Sequence, residues 1–327
     1  VRSTVAIQGV VPLDGHAPAG LAMTHLCVER GDSAMIYDIR HLSTYAYETP
    51  VSFARCVLRL LPSNRPEQRV LSRALEVKPV PVAAMTRQSF FGNDVVTVTI
   101  EAAHRELKVE ARSRVEVARA TGDLLRRASR PWEEVRERAF AAATLGPASP
   151  AHHIYPSRLV PILGPLSAYG HASFPPGRPI LEAATELMQR IKADFTYDPK
   201  ATVVSTPLIE AFEKRRGVCQ DFAHVMIACL RGVGLPASYV SGYLRTLPPP
   251  GKKRLEGADA THAWVTAWCG EEFGWLGFDP TNAVLVENDH IVLANGRDYA
   301  DVSPIDGVIL GAGSQALTVK VDVVPVA

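Results

Sequence analysis

From Glu106 to Val117 apolar and polar residues alternate without a break. Leu107, Val109, Ala111, Ser113, Val115 and Val117 fall on one side, and Glu106, Lys108, Glu110, Arg112, Arg114 and Glu116 on the other. A period of two sends successive side chains to opposite faces, so this segment predicts a strand with one dry and one wet face. Val96, Val98 and Ile100 alternate with Thr97 and Thr99 after the turn residues Gly92, Asn93 and Asp94. Antiparallel β structure from Tyr37 to about Val117 is the simplest account. Leu317, Val319, Val321 and Val323 predict another half-buried strand near the end of the chain.

The period changes after Pro179. Ile180, Leu181, Ala184, Leu187, Met188 and Ile191 share one helical face, and Thr206 with Pro207 is read as the N-cap and first position of a second helix. Phe222, Met226, Cys229 and Val233 mark a third helical stripe after Gly217. A strand over Ala237 to Arg245, a Pro- and Lys-rich loop from Thr246 to Gly257 and a hairpin from Thr261 to Asp279 follow. Four segments are expected: a flexible leader (1–34), a β-rich domain (35–120), a linker crossing the surface with one short helix after Pro131 (121–178), and an α+β domain of helices followed by antiparallel strands (179–327).

The bulk numbers narrow the function classes. A chain of 327 residues is long enough for two cores. Lys and Arg total 35 against 34 Asp and Glu, so the electrostatic footprint of a nucleic-acid binder is absent. The apolar runs are too short to span a bilayer. Residues 1–20, with Asp14, His16 and three glycines, do not form the apolar stretch of an export signal, so neither a membrane nor a nucleic acid is an expected partner and a cytoplasmic location is the expectation. Cys27, Cys56, Cys219, Cys229 and Cys269 are odd in number and contain no C-x-x-C pair, which argues against a disulfide framework or zinc knuckle; no metal and no cofactor is expected.

Cys219 lies three residues before Phe222, so it joins the apolar stripe from the first turn of its helix. A thiol there meets the positive helix end and unpaired N–H groups, which favour the thiolate. His224 is five residues on, about 140° around the helix, so it does not converge with Cys219 on a metal. A thiolate nucleophile needs a base that a third group orients. If the hairpin turns near Gly270 to Glu272, His262 opposes about Thr281, and Asp279 is its diagonal neighbour on the same face. Each of the three residues alone reads as ordinary core, strand or turn; together they form a Cys-His-Asp triad.

These residues lie in runs that resemble the bacterial transglutaminase-like proteins: Gly217 to His224, Gly234 to Tyr243, Asp259 to Trp264, and Gly277 to Asn282. Upstream, Leu58 to Leu60 and Phe91 to Asn93 resemble the β-rich region that accompanies this core, and Gly296 to Val302 its C-terminal segment. Ser238 stands where related sequences usually carry Arg, which bears at most on a substrate contact. The resemblance covers about Met35 to Val323. It implies a papain-like/transglutaminase-like α+β core and a cysteine-dependent acyl-transfer enzyme acting on peptide or glutamine amides through a thioester. Gln220 and backbone N–H groups at the helix start are candidates for oxyanion stabilisation, and Tyr239, Tyr243 and Trp264 for lining the acyl cleft. Hydrolysis is the expected outcome because no second acidic cluster awaits a lysine ammonium, and Lys252, Lys253 and Arg254 would repel one. The alternatives are glutamine transamidation and a non-catalytic peptide-binding module; the oligomeric state is not assigned.

Overall fold

The computed structural model describes residues 34–119, 127–246 and 260–326. Residues 1–33, which hold nearly all of the expected leader, lie outside them, as do 247–259 with Lys252, Lys253 and Arg254. The N-terminal half contains strands β1 (Met35–Val51), β2 (Phe53–Leu58), β3 (Gln68–Lys78), β4 (Ala83–Gln88), β5 (Asp94–Ile100) and β6 (His104–Val117). Helices α1 (Trp132–Phe140), α2 (Gly164–His171) and α3 (Ile180–Asp194) follow. Next come the short strand β7 (Thr196–Tyr197), α4 (Leu208–Lys214), β8 (Arg216–Gly217) and α5 (Cys219–Gly232). The chain then runs through β9 (Ala237–Leu244), β10 (Ala260–Trp268), β11 (Trp275–Asp279), β12 (Val284–Leu285), β13 (His290–Gly296), α6 (Tyr299–Val302), β14 (Ile305–Leu310) and β15 (Gln315–Val326).

Three antiparallel sheets result, with strand orders β15-β1-β6-β3, β14-β2-β5-β4 and β12-β11-β10-β9-β13. The alternation read in β6 is its burial pattern: the odd-numbered residues from Leu107 to Val117 are buried. The matching face of β1 continues it through Tyr37, Ile39, His41, Ser43, Tyr45 and Tyr47. One end of this face, with Tyr45, Tyr47, Leu107 and Val109, packs on β2 and β5; the other, with Tyr37, Ile39, Val115 and Val117, packs on Tyr243, Ile291 and Leu293 of the third sheet. The shared face of β1 and β6 thus joins the two halves of the molecule.

The division of the chain differs from the expected one in two places. Strands β14 and β15 leave the second half and pair with β2 and β1, so residues 305–326 complete the N-terminal sheets. Alternation specifies a strand but not its neighbour, and a return over 250 residues leaves no local signal. Likewise 127–178 is no surface linker: Trp132, Val135 and Ala139 of α1 and Leu166 of α2 belong to the core around α5. Two finer readings also shift. Leu317 and Val319 are 51% and 41% exposed, whereas Val321 and Val323 are buried against the third sheet, because an edge strand is covered only where another layer reaches it. Pro207, not Thr206, is the N-cap of α4, and the Thr206 hydroxyl instead accepts from Val203 N at 2.9 Å.

Helix α5 is the central element of the second half, and almost every residue from Asp221 to Arg231 is buried. Its far end is fixed by Arg231, only 2% exposed, which donates to the carbonyls of His153 (3.0 Å), Ala237 (2.8 Å) and Arg297 (2.6 Å) and to the Ser157 hydroxyl (3.0 Å). Replacing Arg231 with Met keeps most of the volume but strips buried carbonyls of their donors. Leaving such acceptors unsatisfied costs about 1–3 kcal/mol each. Urea denaturation of Arg231→Met is expected to show a loss of roughly 2–4 kcal/mol; an unchanged midpoint contradicts this anchoring role.

Candidate active site

The start of α5 is built by a short-range exchange. Tyr197 and Gly217 are register partners in the two-stranded β7–β8 pair, and Asp198 N donates to Gly217 O at 2.9 Å. The Asp221 carboxylate, three residues into the helix, accepts from Val218 N (2.8 Å) and from the Thr202 hydroxyl (2.6 Å). It therefore supports the first turn, as expected of an acid at the positive end. Gly217 has to lack a side chain, since a Cβ there would collide with the Asp221 carboxylate. The first intrahelical acceptor is Val218 O, which takes Asp221 N and Phe222 N, so the N–H groups of Cys219 and Gln220 precede the helical ladder.

Cys219 is partly exposed, whereas Cys56, Cys229 and Cys269 are buried. Burial pushes the thiols of Cys229 and Cys269 up to about 12, out of the reactive range. His224 is buried, its ring 5.0 Å from that of Tyr239 and its Nε2 accepting from Tyr299 N at 3.2 Å. It is a packing residue.

The hairpin register runs Trp268 to Trp275 through Val265 to Phe278. Extended by one pair it places Asp279 opposite Trp264, diagonal to His262, and the two side chains meet: His262 Nε2 lies 2.8 Å from Asp279 Oδ2. A carboxylate accepts only, so Nε2 carries the proton and Nδ1 is the nitrogen left for the thiol. Burial acts to lower the His262 pKa, but hydrogen bonds with Asp279, which accepts from Nε2, and with Cys219, together with their charges, outweigh it and raise the ring to about 10. Burial likewise acts to raise the Asp279 carboxyl, yet the hydrogen bonds of His262, His290 and Asn282 hold it well below the usual carboxylate range.

Two neighbours were not singled out in the sequence. Asn282 Nδ2 donates to Asp279 Oδ2 at 2.7 Å, and His290 Nε2 lies 3.3 Å from the same oxygen. Oδ1 accepts from Thr281 N (3.0 Å) and Asn282 N (3.2 Å), a turn in which Pro280 contributes no competing N–H. Asn282 had a signal, three residues after Asp279 in a turn; His290 had none, because only the strand order brings β13 beside β9. His262, Asp279 and His290 offer two ring nitrogens and a carboxylate oxygen within 4.8 Å of one another. Both nitrogens are engaged in hydrogen bonds to that oxygen, so the arrangement is a proton-sharing cluster, and we assign no metal to it.

The other expected contacts divide. Tyr243 does not line a cleft: it is buried between the halves, with its hydroxyl 3.0 Å from His41 Nδ1. Trp264 is fully buried beneath the histidines, its ring centroid 6.2 Å from that of His262 and 5.2 Å from that of His290. Strand residues at i and i+2 share a face, and here that face is core. Tyr239 is buried between His224 and Tyr299. Gln220 is half-buried at the second helical position. Ser238 is buried and donates to Gly296 O at 2.8 Å, so it contacts the neighbouring strand rather than a ligand.

Comparison with known proteins agrees with this organisation. Residues 37–116 match the bacterial transglutaminase-like N-terminal region, and residues 174–280 match the transglutaminase-like superfamily. An uncharacterized protein of Mycobacterium tuberculosis is 39% identical over 296 residues, spanning 88% of this chain and 92% of that one. A protein-glutamine gamma-glutamyltransferase of Pseudomonas aeruginosa is 37% identical over 109 residues, 31% of this chain and 16% of its own. A crystal structure from Cytophaga hutchinsonii, of a protein whose name proposes a cysteine protease, superimposes with a TM-score of 0.68 at 22% identity, covering 89% of this chain and 91% of that one; the likeness is one of fold.

The raised imidazole and depressed carboxyl set the pH dependence of stability. The Asp279 contribution is present above the unfolded carboxyl pKa of about 4 and is lost as pH falls through the lower folded value. The His262 contribution is full below about 6.5 and is lost as pH rises toward the folded value. The stability difference between wild type and His262→Gln, measured by urea denaturation, is therefore expected to be largest between about pH 4 and 6.5 and to narrow toward pH 9. A difference that widens with rising pH contradicts a raised imidazole.

Proposed function

For a chain that belongs to the bacterial transglutaminase-like family, a family of cysteine-dependent enzymes, we propose a hydrolytic acyl transfer carried by Cys219, His262 and Asp279. The observation that carries this reading is the 2.8 Å contact of His262 Nε2 with a fully buried Asp279, which leaves Nδ1 for the thiol at the start of α5. In this reading the Cys219 thiolate attacks the carbonyl carbon of a peptide or glutamine-side-chain amide. The tetrahedral oxyanion is stabilised by the N–H groups of Cys219 and Gln220, which have no acceptor within the helix. The His262 imidazolium gives its Nδ1 proton to the departing amine or ammonia, leaving a thioester. Asp279 stays ionised throughout and holds the ring and its tautomer. A water molecule then attacks the thioester while His262 takes its proton; the acid product leaves and the thiolate–imidazolium pair returns.

Water is favoured as the acceptor by the surroundings of the thiol. Cys219 is partly exposed, and Tyr197, close enough to feel its charge, is exposed beside it. The acid in the first turn of the same helix, Asp221, is already committed to Val218 N and the Thr202 hydroxyl. A transamidase has to hold an amine against the thioester and keep water away. Transamidation stands as the second reading on the strength of the gamma-glutamyltransferase relative. Glutamine-containing peptides supplied with excess primary amine separate the two. Free acids and cleaved peptides are expected, their formation lost in Cys219→Ala; predominant amine adducts overturn hydrolysis in favour of transamidation.

A further inference from the structure

Strand β13 is the edge of the third sheet, and the N-terminal half covers its free side with side chains that imitate a neighbouring strand. The Gln68 amide donates to Val292 O (2.9 Å) and accepts from Val292 N (2.8 Å). The Asn93 amide repeats the pattern on Asn295, donating to its carbonyl at 2.7 Å and accepting from its N–H at 2.9 Å. Arg119 Nη1 donates to the carbonyls of Glu287 (2.7 Å) and His290 (2.6 Å), and Arg119 N to the Asn288 side chain (2.8 Å). These groups bracket His290, the first residue of β13. Its ring is fixed from both ends: Nε2 faces Asp279 Oδ2 at 3.3 Å, and Nδ1 accepts from Glu287 N at 3.4 Å. Two acceptors cannot share a hydrogen bond without a proton, so Nε2 bears it.

We infer that His290 is a positioning residue, a second imidazole N–H donor that shares the Asp279 carboxylate with His262, and that the N-terminal β region keeps it in place through Gln68, Asn93 and Arg119. The inference rests on the proposed relay from Cys219 to Asp279. A hydrogen bond to a carboxylate stabilises its charge and weakens its hold on other protons. The positive end of the His290 N–H dipole also lies near the His262 imidazolium, the two ring centroids being 6.3 Å apart. Both effects have the same sign: without His290 the carboxylate grips the His262 proton more tightly, and the imidazolium persists to higher pH. The other polar groups facing this cluster are Cys219 from α5, Asn282 from the turn after β11, and Lys192 from α3, whose ammonium donates to Thr281 O at 2.8 Å. Glu287, Asp289, Arg245 and Arg119 surround the start of β13.

The test needs no natural substrate. The rate of Cys219 alkylation by iodoacetamide is followed by mass spectrometry across pH in wild type, His290→Leu and His290→Gln, with folding checked by circular dichroism. The upper inflection, where the imidazolium is lost, is expected to rise in His290→Leu by on the order of half a pKa unit or more. His290→Gln restores an N–H donor and is expected to return it toward wild type. Equal behaviour of folded Leu and Gln variants, or an unmoved inflection in both, overturns the inference and leaves the relay intact. Should His290→Leu not fold, proton NMR of wild type decides instead: two downfield imidazole N–H resonances are expected, assigned to His262 and His290 and both shifted by Asp279→Asn. Absence of the His290 resonance overturns the inference. Failure of Cys219 to react ahead of the other cysteines in wild type overturns the relay and the inference with it.

Discussion

A carboxylate with no exposed surface has to be compensated by the protein around it, and Asp279 is such a group. Its two oxygens meet donors on His262, His290, Asn282 and the N–H groups of Thr281 and Asn282. These come from two strands and one turn, so the charge is tolerable only when the third sheet has its full strand order. The same donors keep the carboxyl ionised, and in the proposed mechanism the ionised carboxyl holds the His262 tautomer that presents Nδ1 to Cys219. Stability and the proposed catalytic geometry therefore depend on one solvation problem.

The two halves of the chain share the solution. The long dry face of β1 and β6 packs on the second sheet at one end and on β9 and β13 at the other, with His41 bridging Ser43 and Tyr243 at the junction. β14 and β15 then carry the chain back to close both N-terminal sheets. The segment matching the N-terminal region is thus not an appendage of the core. Its Gln68 and Asn93 amides, with the Arg119 guanidinium just beyond it, occupy the edge that would otherwise expose the backbone of β13.

What could be read in advance follows from how far each signal reaches along the chain. The strand at Leu107 to Val117, the stripe of α3 and the hairpin between Thr261 and Asp279 are local patterns, and the hairpin register alone brings His262 and Asp279 together. Non-local facts left no such trace. Nothing near His290 says that β13 lies beside β9, and nothing near Val321 says that it ends on the third sheet while Leu317 does not. Tyr243 and Trp264 are candidates for a cleft because aromatic residues in the runs around a nucleophile suggest one, but strand geometry makes both core. The segment 127–178, rich in Pro and Gly, holds the helix expected after Pro131 and a second one, α2, that left no periodic signal; Trp132, Val135, Ala139 and Leu166 from the two join the core around α5.

The claim on which everything else rests is that acyl transfer passes through Cys219. Acid quenching during turnover of a glutamine-containing peptide, followed by mass spectrometry of the intact protein and its digest, observes this directly. An acyl adduct of the peptide mapping to Cys219 is expected, absent from Cys219→Ala. Turnover with no covalent adduct, or an adduct on another cysteine, contradicts the assignment.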